Sequence, residues 1–404
     1  MHIDRWIRGP IGMDADLRVT RADCHKVLVT VPTVAAGTRL VELLALLEGD
    51  HRVQVLFTIP EAARSFPDAT EFIRGLGGLT IPWGQALEHR FDLVLAASHT
   101  ELAAVRGQVL VVPHGASSLM SRRFSRSGGP SARPHVGLAR ETLTHRGRLI
   151  PSVIALTHDR ELASLRRSCP EAVPRALVAG DICMDRLVAS LPRRDDYRRS
   201  LGCGPDQRLV TVSSTWSTDS VFGQNPLLCR ELMDSLPKSE FRVALVLHPS
   251  AWAVHGRWQI KNWLADCVRA GLVVIPPDQG WQAATIASDL VVGDHGSTTQ
   301  YAAALGRPVI LAAYPEHAVR RGSLAAAVAA RAPKLDVQAP VRPQVERALG
   351  LKAFEDGVVA ELISSRLGAS AKLLRQAMYG LLGLSEPPGQ AAVPPAVLPH
   401  PVRW

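Results

Sequence analysis

Lysine is scarce in this chain: six lysines stand against forty arginines in 404 residues. The net charge of +9 would by itself suggest an acidic partner such as a nucleic acid. The arginines are scattered, however. They accompany abundant Ala, Gly, Pro and Val, a composition that follows from GC-rich coding. The densest group, Arg122, Arg123, Arg126 and Arg133, lies in a Ser/Gly/Pro-rich stretch. No nucleic acid is expected as a partner. Clustered cysteine is also missing. Cys24, Cys169, Cys183, Cys203, Cys229 and Cys267 are widely spaced and form no Cys-x-x-Cys pair, so neither a zinc site nor a disulfide framework is indicated. The first residues lack a signal peptide's apolar core, and no apolar run reaches membrane-spanning length. Cytoplasmic residence is therefore the expectation. Disorder of the whole chain is excluded by 47% hydrophobic residues against 21% charged.

The length predicts two domains with tails. Residues 1–23 show no period and read as a flexible leader. From there short apolar runs alternate with helical periods. Strands are predicted at 27–31, 53–57, 79–81, 92–96, 109–112, 152–156 and 176–179, with helices at 38–47, 61–76 and 159–167. Residues 116–150 interrupt this rhythm and are expected to form a functional or mobile loop. After a hinge at 180–191 and a polar helix at 193–201 the alternation resumes. Strands are predicted at 209–212, 242–247, 272–275, 290–292 and 309–311, with helices at 225–235, 256–270, 281–287 and 299–305. Parallel, doubly wound α/β sheets follow from such alternation. The expected domains are 24–180 and 181–345, then C-terminal helices at 346–385 and a disordered tail at 386–404.

Residues 291–311 carry the sharpest chemical signal. A buried strand runs into Asp294, His295, Gly296, Ser297 and Thr298, then a small-residue helix ended by Gly306 and Pro308, then a second strand. A Gly-Ser-Thr turn at a helix start offers backbone N–H groups, hydroxyls and the positive end of the helix dipole, which suits a phosphate. The plainer alternative is an ordinary N-cap, since Ser and Thr cap helices well.

Four local matches resemble the GT-B fold of glycosyltransferases and the related UDP-N-acetylglucosamine 2-epimerases. Residues 180–185 resemble the interdomain G-x-P-x-x-D segment. Ser213, Ser214, Thr215, Trp216 and Ser217 resemble the S-T-W-G loop that opens the donor half. Residues 247–249 resemble the K-x-H-P strand end. Residues 294–298 with Gly306 and Pro308 resemble the donor motif. Pro113, His114 and Gly115 also resemble the H-G of the CDP-glycerol glycerophosphotransferase branch, where the histidine is catalytic. The resemblance covers about residues 26–315 and implies two Rossmann-like doubly wound domains facing a cleft, with flexible termini. Where the family places an acid on the nucleotide ribose, this chain has Gln300 and Tyr301, which implies an unusual donor or a degenerate site.

On this resemblance, His114 is the expected catalytic base, activating an acceptor, and His248 the second catalytic candidate. Ser213, Ser214, Thr215, Asp294, His295, Gly296, Ser297 and Thr298 would hold the donor phosphates. Each has a structural alternative: His114 and His248 as strand-end residues fixing a loop, the Ser/Thr groups as plain caps. Trp216 could stack on a base. His295 beside Ser297 lacks a Gly-x-Ser-x-Gly elbow, so nucleophilic catalysis is not expected. The turn at 33–38 is not a full Gly-x-Gly-x-x-Gly, and NAD is not indicated. His99, His135, His145 and His158 read as surface or loop histidines.

No tightly bound cofactor and no metal are expected. The partners would be a nucleotide-activated donor (UDP, CDP or another) and an acceptor; self-association into a homo-oligomer is left open. The implied function is transfer of a glycosyl or polyol-phosphate group. The alternatives are a nucleotide-sugar 2-epimerase or hydrolase, and a catalytically degenerate binding module.

Overall fold

A computed structural model describes residues 6–12, 15–63, 68–118, 137–317 and 319–402. The arginine group at 122–133, His135 and most of the expected 116–150 loop lie outside the described residues. The chain divides into two compact units.

Unit 1 comprises the described residues up to 118, then 137–182 and 368–393. Its strands are β1 (His25–Thr30), β2 (Val53–Thr58), β3 (Arg90–Ala96), β4 (Arg106–Val111), β7 (Val153–Leu156) and β8 (Ala176–Val178), with the short hairpin β5 (Thr144–His145) and β6 (Arg148–Leu149) apart from the main sheet. The main sheet has the order β2-β1-β3-β4-β7-β8, and every pairing in it is parallel. Its strands are buried and rich in Val and Leu, as a sheet covered on both faces requires. The first helix starts earlier than expected, at Val34. Thr33 caps it by accepting the Ala36 N–H at 3.2 Å. Gly37 lies inside this helix rather than in a turn. A Cβ there would stand 2.4 Å from the Phe72 ring, so glycine permits the Asp68–Gly75 helix to pack closely. The expected strand at 79–81 is only a bridge between Thr80 and Phe57.

Helix Ser370–Leu382, far along the chain, also belongs to this unit. Its Ala371, Leu374, Met378 and Leu382 recur at helical spacing and join the unit 1 core. The Tyr379 hydroxyl donates to Asp50 at 2.8 Å. An apolar stripe identifies such a helix but not the sheet it covers, which is why the first domain was expected to end at 180. Part of the leader is docked rather than loose: Ile11 is buried, and Gln85 exchanges two hydrogen bonds with the backbone of Ile7.

Unit 2 comprises, of the described residues, 183–317, 319–367 and 394–402. Strands β9 (Arg208–Ser214), β10 (Phe241–Leu247), β11 (Val273–Ile275), β12 (Leu290–Gly293) and β13 (Val309–Leu311) form a parallel sheet in the order β11-β10-β9-β12-β13. The core lies between this sheet and its helices and includes Val210, Leu245, Ile260, Leu264, Val292 and Ile310. The tail expected to be disordered is held where it is described. Ala396 is fully buried, its carbonyl accepts from the Tyr197 hydroxyl at 2.8 Å, and Val402 N donates to Val274 O. Pro-rich composition forbids regular structure there but does not prevent backbone docking.

Candidate functional site

In an open parallel sheet, ligands bind outside the C-terminal ends of the strands, where strand order reverses. In unit 2 that reversal falls between β9 and β12. The three sequence segments expected to hold a donor all leave the sheet here, from β9, β10 and β12.

Asp294 joins two of them. It follows β12 directly and is buried. Its Oδ2 accepts the N–H of Thr215 at 2.8 Å and of Val221 at 3.1 Å, and its Oδ1 accepts the N–H of Gly296 at 2.9 Å. Burial pushes its carboxyl above the usual range, opposed by the adjacent His295 and these three backbone donors. Gly296 leaves room for this staple: a Cβ there would lie 3.0 Å from Asp294 Oδ1 and 3.1 Å from Thr215 Cβ, so both would have to give way.

Helix Ser297–Ala304 begins at once, so Ser297 and Thr298 form its first turn rather than a loop before it. Gly296, its N-cap, supplies no side-chain cap. The N-terminal end of this helix therefore combines backbone N–H groups, two partly exposed hydroxyl residues and the dipole's positive end.

The other predicted residues divide by role. Ser213 and Ser214 are buried. The Ser214 hydroxyl donates to Thr215 O at 2.9 Å and accepts from Phe222 N at 3.0 Å, so it shapes the loop. His248 caps the helical segment that begins at Pro249 and breaks at Gly256 (φ 77°): its Nδ1 accepts the Ser250 N–H at 3.1 Å. In the neutral ring its proton is thus on Nε2. The His248 N–H binds Ser214 O at 2.9 Å, and the ring lies 6.3 Å from that of the half-exposed Trp216. His295 is buried, and its carbonyl accepts from Gln300 Nε2 at 2.9 Å. Gln300 and Tyr301 are themselves buried.

Unit 1 presents a second cluster, at the ends of β3 and β4. His114 Nδ1 lies 3.2 Å from Ala97 O. A carbonyl only accepts, so Nδ1 carries the proton and Nε2 keeps its lone pair. The His114 side chain reaches solvent but is hemmed in by protein. That desolvation, with the Arg39 guanidinium adding to it against the Ala97 bond, holds its pKa below the ordinary value.

Sequence reasoning missed the supports of this loop. Arg39 donates to Glu42 and Asp181 at 3.1 Å each and to Gly115 O at 3.2 Å, fixing the residue after His114. All three side chains of this ion group are buried. Glu161 accepts from Ser117 Oγ at 2.6 Å, Ser118 N at 2.7 Å and Thr157 N at 2.8 Å. His158, read as a loop histidine, caps helix Asp159–Ser168 through its Nδ1. His99 is no bystander either: burial drives its pKa down to about 4, and the charge of His114 lowers it further. His145 is exposed on the hairpin. The Arg39/Glu42 spacing was visible on one helix face, whereas Asp181 stands 142 residues from Arg39. Among the described residues no three His, Cys, Asp or Glu side chains are arranged to hold a metal ion, and no helix is long and apolar enough to cross a membrane.

No family model matches the chain, and no curated protein matches its sequence. Solved structures do. The chain is similar to the wall teichoic acid polymerase TagF with CDPG, at 14% identity and a TM-score of 0.60, covering 89% of this chain and 88% of that one. A second TagF structure gives 12% identity and a TM-score of 0.58, covering 89% of each chain. A putative UDP-N-acetylglucosamine 2-epimerase from Listeria monocytogenes gives 13% identity and a TM-score of 0.52, covering 89% of this chain and 96% of that one. The chain has the GT-B fold. Identities this low establish fold alone, and the GT-B fold is compatible with more than one chemistry.

Proposed function

We propose that this chain is a GT-B transferase, moving a glycosyl or polyol-phosphate group from a nucleotide-activated donor to a small-molecule or polymer acceptor. The observation that carries the reading is the Asp294 staple: it holds the Gly296–Ser297–Thr298 helix start against Thr215 at the strand reversal of unit 2. One similar structure holds CDPG, and another is named for UDP-N-acetylglucosamine, which supports a nucleotide-activated donor.

In this reading Ser297, Thr298 and the helix N-terminus bind the donor phosphates, and His248 donates from Nε2 as charge develops on the leaving phosphate. Thr215 and Asp294 hold the turn in place. His114, with Nε2 unprotonated, takes the proton of the acceptor hydroxyl. Ser213, Ser214 and His295 support the loops from beneath.

Thermal-shift binding with UDP, CDP, CMP, GDP, ADP, dTDP and NAD tests the donor site. The expected result is stabilisation by one nucleotide class that is lost in Ser297→Ala/Thr298→Ala. No shift with any of them overturns the donor assignment. A second reading, a degenerate binding module, draws on the burial of Gln300 and Tyr301, which leaves neither at hand for a ribose. It predicts nucleotide binding without turnover.

A further inference from the structure

At the opposite, N-terminal ends of β9, β12 and β13, positive charge gathers around the carboxylate of Asp289. Asp289 immediately precedes β12. It accepts the Leu209 N–H at 2.7 Å and pairs with Arg194 and Arg198 at 2.7 Å each, with the exposed Arg208 at 4.0 Å. Arg194 and Arg198 lie four residues apart on helix Arg194–Ser200, a spacing at which like charges repel unless something shared neutralises them. Arg198 is well supplied: it also donates to Ala287 O at 3.1 Å and Gln207 O at 2.6 Å.

Arg307 is not. It stands between Gly306 and Pro308, where the chain enters β13, and is partly buried. Among the described residues its guanidinium makes no hydrogen bond and no ion pair. Its Nε, like that of Arg194, is closed off from solvent without a partner. The β12–β13 register pairs Val291 with Val309, which sets Arg307 level with Asp289 and the two arginines bound to it. Burial lowers the Arg307 pKa to about 10, helped by the charges of Arg194 and Arg198 and opposed by Asp289. A buried N–H without an acceptor is costly to keep, and the remaining four donors of the guanidinium face outward with no protein acceptor. Its planar fork matches the oxygens of a phosphate group.

We propose that Arg307 and Arg194, backed by Arg198 and Asp289, form a binding site for a phosphate-class oxyanion at the N-terminal ends of the unit 2 strands. The site is separate from the donor loops. The four-residue β12 lies between them, with Asp289 before it and Asp294 after it, roughly 16 Å apart along an extended chain. The inference does not depend on the transferase reading.

Inorganic phosphate and pyrophosphate are the probes, titrated into the full chain by calorimetry and thermal shift, with sodium chloride at matched ionic strength as the reference. The expected result is saturable binding and a raised Tm with one of the two that persists in Ser297→Ala/Thr298→Ala and, in that background, is abolished by Arg307→Met. In chloride alone, Arg307→Met is expected to melt at or above the wild-type temperature, because an unpartnered charge has been removed. If that variant does not fold, Arg307→Lys decides: it keeps the charge but loses the fork, and the apparent Kd should rise about tenfold. Absence of saturable binding to the wild type overturns the proposal. So does binding that, in the Ser297→Ala/Thr298→Ala background, survives both Arg307 substitutions, or binding lost altogether in the Ser297/Thr298 variant, which would place the anion at the donor loops.

Discussion

Asp294 Oδ2 accepts the Thr215 N–H at 2.8 Å, and that bond ties the exit of β12 to the exit of β9. With the bonds from Val221 and Gly296 it gives one carboxylate three backbone donors. Asparagine has one acceptor oxygen and cannot serve donors on both sides, so Asp294→Asn leaves at least one buried N–H facing an NH2 group. The substitution relieves the burial cost of a charge, but the unsatisfied donor dominates. A loss of about 1–3 kcal/mol is expected, measured by urea unfolding, together with weaker nucleotide binding. An unchanged urea midpoint would show that the carboxylate does not hold these loops.

The buried group Arg39–Glu42–Asp181 makes a second prediction. Removing Arg39 takes its guanidinium away from two buried carboxylates. Arg39→Met should cost about 3–5 kcal/mol. Arg39→Met/Glu42→Gln/Asp181→Asn should recover part of that loss, because the stranded charges go with it. Denaturant unfolding of the two variants beside the wild type checks this. Equal stability of the single and triple variants would contradict a charge-based origin.

His99 should make unit 1 sensitive to acid. Its pKa is about 4 in the folded chain against an ordinary 6.5. Above pH 6.5 both states hold the ring neutral and there is no effect. As pH falls below 6.5 the unfolded state gains the proton first, so folding stability drops, and the loss is complete near pH 4. The difference corresponds to at most about 3 kcal/mol. His99→Gln, which cannot titrate, should therefore lose less stability than the wild type between pH 7.5 and 4.5. Parallel melting curves for the two proteins over that range would refute it.

How much of this was legible in the sequence depends on the distance over which the signal acts. Apolar runs such as 309–311 and 290–292 set the strands almost to the residue, because burial on both faces demands continuous Val, Leu and Ile. The Gly296–Ser297–Thr298 turn was readable for the same reason: cap, glycine and strand end are neighbours in the chain. The supports were not. Asp181 and Arg39, Glu161 and Ser117, Asp294 and Thr215 are joined only by the order in which strands pair, and no local pattern states that order. Helix Ser370–Leu382 was recognisable as a helix, yet its place in unit 1 follows from Asp50 and Tyr379, 329 residues apart. The S-T-W-G resemblance implies Ser214 as a phosphate contact, and its bond from Phe222 N is a tertiary fact that no local pattern states.

The tautomer of His114 makes a prediction that the sequence could not supply. With Nδ1–H held by Ala97 O, the ring offers Nε2 as a base. Its pKa is lowered by desolvation and by Arg39, so it stays unprotonated to more acidic pH than a free histidine. Once donor and acceptor are identified, the acidic limb of the pH–rate profile should fall below pH 6.5. His114→Gln retains a side-chain amide but removes the base, and kcat is expected to fall by about 10²–10⁴, with donor affinity unchanged because the donor loops belong to unit 2. Arg39→Met should act in the opposite sense on the profile, moving the acidic limb upward as the repelling charge is lost; a merely structural role for Arg39 would lower the rate without moving the limb. Full turnover by His114→Gln would return the residue to a loop-fixing role and leave the base to be sought elsewhere.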